Sequence, residues 1–277
     1  MQTTILITGC SHGGIGYAAA CALKERGYRV FATARREEEV DALRHEGFEA
    51  YRLDVTDTAT IDATLQTVLE TTGGHLDALF NNAGYGQPGA LEDIPTNALR
   101  EQFETNVFGL HELTRRIIPV MRRQGYGRIL QHSSVLGIIS LRFRGAYNAS
   151  KYAIEGLCDT LRLELMGENI HVCTLNTGPV RSKFRENATK KFFEHIDMED
   201  SIYKDEYESE VLKRKEKKEE RDIFTKDPDV VVARIIHALE SKKPKPRYYI
   251  TSATYLLGTF KRLLSTALLD RLLRKVQ

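Results

Sequence analysis

Tyr147 and Lys151 stand four residues apart in the run AYNASKYA, so on a helix their side chains leave the same face. A phenol beside an ammonium is a proton-transfer device, because the positive charge favours the phenolate and brings its pKa down from about 10. Taken alone, such a pair is common on helix surfaces. Ser134 adds weight: it closes the strand-like run GRILQHSS thirteen residues before Tyr147. A hydroxyl at the carboxyl edge of a sheet can hydrogen-bond a substrate oxygen where open α/β sheets bind ligands. Ser133, its neighbour, is turned the other way by strand alternation and is expected to be structural.

A second constellation comes first in the chain. Thr8-Gly9-Cys10-Ser11-His12-Gly13-Gly14-Ile15-Gly16 ends an apolar run and flows into an alanine-rich stretch. Glycines there permit a sharp turn and close approach to a pyrophosphate, while a helix N-terminus offers free N–H donors. The spacing fits GxGxxG poorly. About 20 residues further on, where an NAD enzyme holds an acid against the ribose 2′-hydroxyl, the second strand ends in Ala34-Arg35-Arg36. Arginine cannot accept that bond, but its guanidinium matches a 2′-phosphate, so NADP(H) is the expected cofactor, read by Arg35. The alternative is that both arginines face solvent beside Glu37, Glu38 and Glu39, Arg36 more so than Arg35.

The elements that must hold these residues follow from periodicity. β-rich runs TILIT, YRVFATA, EAYRLDV, DALFNNAG, GRILQHSS, HVCTLN and RYYIT alternate with helical patterns near 15–26, 37–45, 58–69, 96–118, 146–166 and 228–240. Alternation of this kind means repeated βαβ units, and runs that are apolar throughout suit a parallel sheet covered on both faces. The expected fold is α/β, a Rossmann-type doubly wound parallel sheet, in one domain over residues 1–277. Residues 183–225 read as a helical substrate-lid insertion, charged but studded with Phe184, Phe192, Phe193, Tyr203 and Tyr207; its run Lys213 to Arg221 reads as a solvated helix face.

Composition narrows the class. With 42% hydrophobic and 28% charged residues the chain is globular, and a net charge of +2 gives no reason to expect nucleic acid. Cys10, Cys21, Cys158 and Cys173 form no CxxC pair, so neither a structural metal nor a disulfide framework is expected. No leader or apolar span is visible, which points to the cytoplasm.

Together the glycine-rich turn, Asn81-Asn82-Ala83-Gly84, Asn106, Ser134, Tyr147 and Lys151 resemble, in order and spacing, the short-chain dehydrogenase/reductase family over roughly residues 3–182. TGCSHGGIG, NNAGYG, SSVLG, GAYNASKYA and GPVRSKF are most similar to bacterial aldehyde or ketone reductases related to 17β-hydroxysteroid and retinol dehydrogenases. The resemblance implies that Tyr147 protonates a carbonyl oxygen as hydride arrives from the nicotinamide, that Ser134 polarises the carbonyl, that Lys151 holds the ribose and depresses the Tyr147 pKa, and that Asn106 supports a proton-relay water. It implies cofactor contacts from Gly9, Ser11, His12, Gly14, Ile15 and Gly16, from Asp54 and Val55 at the adenine, and from Asn82, Ala83 and Gly84 at the adenosine ribose. Pro179, Val180 and Ser182 would meet the carboxamide. Two departures stand out: the glycine-rich turn carries one extra residue, and Thr177-Gly178-Pro179 with Ser182 replaces the commoner pattern, the serine keeping the hydroxyl.

Leu136, Leu141, Phe143 and Phe184 are the candidate substrate contacts, with Ile138 beside them, and a lipophilic aldehyde, ketone or alcohol is the expected substrate class. Rival readings are an epimerase-like enzyme and a non-catalytic NADP(H) sensor or scaffold. A homo-oligomer is expected. The tail, residues 252–277, shows leucines at three- and four-residue spacing, with Leu263, Leu264, Ala267, Leu268 and Leu272 as an apolar stripe beside Lys261, Arg262, Arg271, Arg274 and Lys275. Lys242, Lys243, Lys245 and Arg247 precede it. Two coverings remain open for that stripe: the protein's own surface or a partner subunit, and an anionic membrane to which the chain attaches peripherally.

Overall fold

Ile5, Leu6 and Ile7 of β1 (Thr4–Ile7) are fully buried, and they face alternately into two separate apolar clusters. A strand that is apolar on both sides must be covered on both sides, which fixes a three-layer arrangement around it. The structure, a computed structural model, describes residues 2–209 and 225–274. In it β1 is joined by β2 (Arg29–Ala34), β3 (Glu49–Arg52), β4 (Ala78–Asn81), β5 (Gly127–Ser134), β6 (Ile170–Thr177) and β7 (Arg247–Ile250). All pair in parallel, in the order β3-β2-β1-β4-β5-β6-β7, the expected doubly wound sheet.

Helices α1 (Ile15–Glu25), α2 (Glu37–His45) and α8 (Asp229–Glu240) cover one face through Ala19, Leu23, Val40, Leu43, Val231 and Ile235. On the other lie α3 (Thr58–Thr71), α5 (Gly109–Gln124) and α6 (Gly145–Glu164), with Ile61, Leu113, Ile117, Ile154 and Cys158 turned inward. Local chemistry sets the ends: Asp57 caps α3 by accepting from the Ala59 N–H, and Gly125 closes α5 at φ 83°.

Between residues 96 and 118 the expected single helix is interrupted. α4 (Thr96–Phe103) passes through a π-helical turn, Glu104–Phe108, before α5 begins. The wider turn inserts one residue into the ladder and re-aims the side chain of Asn106.

Two regions lie above the carboxyl edge. In the proposed lid, α7 (Phe184–His195) and a helical stretch at 204–209 carry Phe192, Ile196 and Tyr207 into a small cluster with Ala90 and Phe143. The charged run Lys213 to Arg221 lies outside the described residues, as does Lys275. The tail is two helices rather than one, α9 (Ser252–Leu263) and α10 (Thr266–Leu273), because Leu264 is extended and the Ser265 carbonyl starts a new turn with the N–H groups of Leu268 and Leu269. That break changes the stripe. Leu257, Leu269 and Leu273 turn to the protein, whereas Leu263 and Leu268 are 76% and 49% exposed.

Gly16 shows how tightly β1, β4 and α1 converge: a Cβ there would sit 2.5 Å from both Asn82 Nδ2 and the Gly9 carbonyl oxygen. Gly16→Ala is expected to lower stability by about 1–3 kcal/mol through overpacking against backbone, read as a lower urea midpoint at unchanged slope; an unshifted midpoint would show the crossing to be loose.

Candidate active site

Ser134, Tyr147 and Lys151 meet at the carboxyl ends of β5 and α6's first turns. Burial pushes the Tyr147 phenol above its ordinary pKa, and the neighbouring Ser134 hydroxyl partly offsets this; that hydroxyl donates to the Thr177 carbonyl at 3.4 Å. Ser134 Oγ also accepts from the Leu136 N–H at 3.1 Å. Lys151 Nζ lies 5.5 Å from the Tyr147 ring centre and donates to the His132 carbonyl oxygen at 2.6 Å. Its burial brings its pKa down to about 8, opposed by the nearby Glu155 carboxylate. Desolvation dominates the phenol here, while the Lys151 ammonium is held by the His132 carbonyl. A protonated phenol is the form a general acid needs. Ser133 faces away, its Oγ accepting from Asn176 Nδ2.

His132 is the residue that sequence reasoning missed. Asn82 commits its Nδ2 to the carbonyl oxygens of Thr8 and Gly9, both at 2.9 Å, so its Oδ1 faces the histidine. His132 Nδ1 thus carries the proton and donates to Asn82 Oδ1 at 2.9 Å, while Nε2 accepts from Thr177 Oγ1 at 2.9 Å. Full burial, aided by the Lys151 charge, drives its pKa to about 3. One neutral ring so ties the glycine-rich turn, the NNAG segment and the end of β6 together directly behind Lys151. Asn106, on the π turn, accepts from the Tyr85 N–H at 3.1 Å and donates to the Tyr85 carbonyl and to Ser150 Oγ at 2.9 and 3.1 Å. It braces the segment after Asn82 against α6 beneath Tyr147.

The cofactor candidates line one cleft. Gly14 precedes α1 with no side-chain cap, which leaves the N–H groups at that helix start for an anion. Thr8 Oγ1 accepts from the N–H groups of Asn82 and Ala83 at 2.9 Å, bringing Ala83 and Gly84 beside Gly9. Asp54, next to buried Val55, receives the Thr56 N–H and hydroxyl on one carboxylate oxygen, leaving the other open. Arg36 pairs with Glu39 at 2.7 Å. Arg35 is exposed and, among the described residues, has no side-chain hydrogen bond or ion pair, so its guanidinium is open to a 2′-phosphate. These features fit a bound dinucleotide. His12 turns outward to Glu46 at 2.5 Å and packs on Tyr17, and Ser11 lies near enough to Glu39 to help hold its carboxyl pKa down. Lys183, unnoticed in the sequence, lays its side chain along Gly13 and donates its N–H to the Gly13 carbonyl. Pro179 and Val180 follow β6 and pair with Lys226; Ser182 Oγ accepts from the Phe184 N–H at 3.4 Å.

On the substrate side, Leu136, Ile138 and Leu141 pack in the cluster that contains Tyr147. Phe184 lies over the Tyr147 ring, 5.3 Å between centres, in space that Gly86 leaves open: a Cβ there would meet Phe184 at 2.9 Å. Phe143 goes elsewhere. At φ 56° it is held by edge-on contacts with Tyr203 and Tyr207, each 5.3 Å away, so it anchors the region above the site.

The short chain dehydrogenase family model matches residues 3–192, and the chain belongs to that family. It is an NAD(P)-dependent oxidoreductase. It is similar to an uncharacterized oxidoreductase, YbbO, of Escherichia coli, with 37% identity over 99% of this chain and 95% of the relative. An NADPH-dependent 1-acyldihydroxyacetone phosphate reductase of Schizosaccharomyces pombe is 34% identical over 72% of this chain and 67% of its own. A crystal structure of a short-chain dehydrogenase from Streptomyces avermitilis superimposes with a TM-score of 0.75 at 30% identity, covering 93% of this chain and 91% of that one.

His132→Phe keeps a ring but strands Asn82 Oδ1 and the Thr177 hydroxyl, at a cost of about 1–3 kcal/mol near neutrality. The wild-type histidine takes up a proton in the unfolded chain below about 6.5, yet not in the fold until about 3. The wild type therefore loses about 1.4 kcal/mol per pH unit across that window, and the variant lacks this loss. Urea unfolding at neutral and acid pH should show the gap between them narrowing in acid; a constant gap would mean that the ring is not held neutral.

Proposed function

We propose that this protein reduces a lipophilic aldehyde or ketone with NADPH, and oxidises the corresponding alcohol in reverse. The observation that carries the reading is the buried Tyr147, set beside Ser134 and within 5.5 Å of the Lys151 ammonium, with the exposed guanidinium of Arg35 at the end of β2. Reduced nicotinamide, when bound, supplies the hydride. Ser134 polarises the substrate carbonyl by donating to its oxygen, and Tyr147 delivers its phenolic proton to that oxygen as negative charge develops there. Lys151 stabilises the phenolate left behind, and its own depressed pKa lets it pass a proton back to Tyr147.

Leu136, Leu141 and Phe184 give the reacting carbonyl an apolar surround, which favours long or ring-bearing substrates over small polar ones. The similarity to the yeast acyldihydroxyacetone phosphate reductase supports both NADPH and a lipid-like carbonyl. All four cysteines are free thiols, in keeping with a reducing, cytoplasmic setting. Phe108, Leu157 and Leu163 are 53%, 40% and 68% exposed on or beside α5 and α6, a surface that a second copy would cover in a homo-oligomer.

Tyr147→Phe keeps the ring and its packing but removes the proton, so it should bind NADPH nearly as the wild type does while kcat falls about a hundredfold or more. Cofactor fluorescence titration and NADPH consumption over a panel of aldehydes read the two quantities. Near wild-type turnover would overturn the mechanism, and tight NADPH binding with no turnover by the wild type would favour a sensor.

For Arg35→Asp, the ratio of kcat/KM for NADPH to that for NADH should drop at least about tenfold, equivalent to ~1.4 kcal/mol. A carboxylate there repels a phosphate and accepts from a ribose hydroxyl. An unchanged ratio would show that Arg35 does not read the 2′-phosphate.

A further inference from the structure

Two adjoining cavities of about 210 and 250 Å³ lie at the β7 edge of the sheet, beneath α9. Arg247, Tyr249 and Arg262 line both, and Arg234, Lys245 and Lys261 complete their cationic rim. Arg247 is engaged, with Nε 3.0 Å from Glu155 and Nη2 2.5 Å from Asp159. The other four are not. Among the described residues, Arg234, Lys245, Lys261 and Arg262 form no ion pair, although this chain pairs exposed arginines freely elsewhere, as in Arg26–Glu240 and Arg122–Glu168.

Converging like charges repel one another, and the arrangement is relieved when an anion enters. The walls suit an interface between water and lipid. Tyr249 and Tyr255 stand edge to face at 5.6 Å, and Tyr248 is fixed by His237 and the Lys245 N–H. Along α9, Tyr255 and Arg262 are seven residues apart and line the groove, while Leu256 and Leu263 form the next face, 55% and 76% exposed. Cations and bare leucines therefore sit side by side on one helix, the pattern of a helix lying in a membrane surface. The inner face of α9 is already occupied, since Leu257 packs against the cluster holding Tyr147.

We infer that this groove binds the phosphate of an anionic phospholipid headgroup, with Leu256 and Leu263 entering the acyl boundary, so that α9 seats the protein on a membrane beside its active site. The binding itself does not depend on the proposed reaction. Flotation of the full chain with vesicles tests it, using phosphatidylglycerol in phosphatidylcholine against phosphatidylcholine alone, with inorganic phosphate titrated calorimetrically as a separate arm.

The protein should float with the anionic vesicles only, and release as salt rises. Arg262→Glu and Lys245→Glu should each weaken partition about tenfold, while Arg123→Glu, an exposed change of equal charge on α5, leaves it unchanged. Circular dichroism confirms that each variant is folded. Absence of flotation at low salt, or equal loss in Arg123→Glu, would overturn the assignment. So would phosphate binding that Arg262→Glu abolishes without any vesicle attachment, which would make the groove a site for a free phosphate.

Discussion

Lys151 is withdrawn from water with one strong acceptor at its ammonium, the His132 carbonyl, and much of the architecture exists to make that tolerable. A buried ammonium is stable only when its hydrogen bonds and compensating charge are supplied by fixed groups. The backbone of β5 supplies the acceptor. Glu155, one turn along α6, supplies the charge, and it is itself held by Asn176 Nδ2 at 2.7 Å and by Arg247. The site thus reaches through β6 to the last strand of the sheet, which explains why a residue as remote as Arg247 bears on the lysine. Desolvation acts on both groups at once: it keeps Tyr147 protonated and brings Lys151 down to about 8.

His132 gives this arrangement its rigidity. Its carbonyl meets the lysine, and its ring spans from the cofactor-facing Asn82 to Thr177 at the start of the segment that leads into α7. One residue thus joins Asn82, Thr177 and Lys151. Above it, Phe184 rests on Tyr147 and Lys183 on Gly13, so the same short segment touches both Tyr147 and the glycine-rich turn.

Much of this was legible in the sequence. That Ser134, Tyr147 and Lys151 come together could be read because their placement depends on local spacing along one strand end and one helix face, and the parallel sheet followed from runs such as ILI that are apolar on both sides. His132 could not, because its partners are 50 and 45 residues away. A titratable residue inside an otherwise buried strand was the available cue. The π turn escaped because it uses the same residue types as an α-helix and adds only one residue to a turn. The tail misled through its leucine spacing, which runs on past Leu264, whereas Ser265-Thr266 carried the restart signal. Phe143 read as a pocket wall because aromatic character alone does not say which of two clusters a side chain joins.

The central claim is that a desolvated Lys151 with pKa near 8 governs proton delivery through Tyr147. It is tested most directly by the single-turnover rate of hydride transfer from NADPH to a saturating aldehyde, followed across pH by absorbance. The account predicts a rate that is level in neutral solution and falls as pH rises through about 8, where the ammonium is lost, with the limb absent in Lys151→Met at a uniformly low rate. A wild-type rate that stays level well above that pH, or a limb that persists in Lys151→Met, would contradict it.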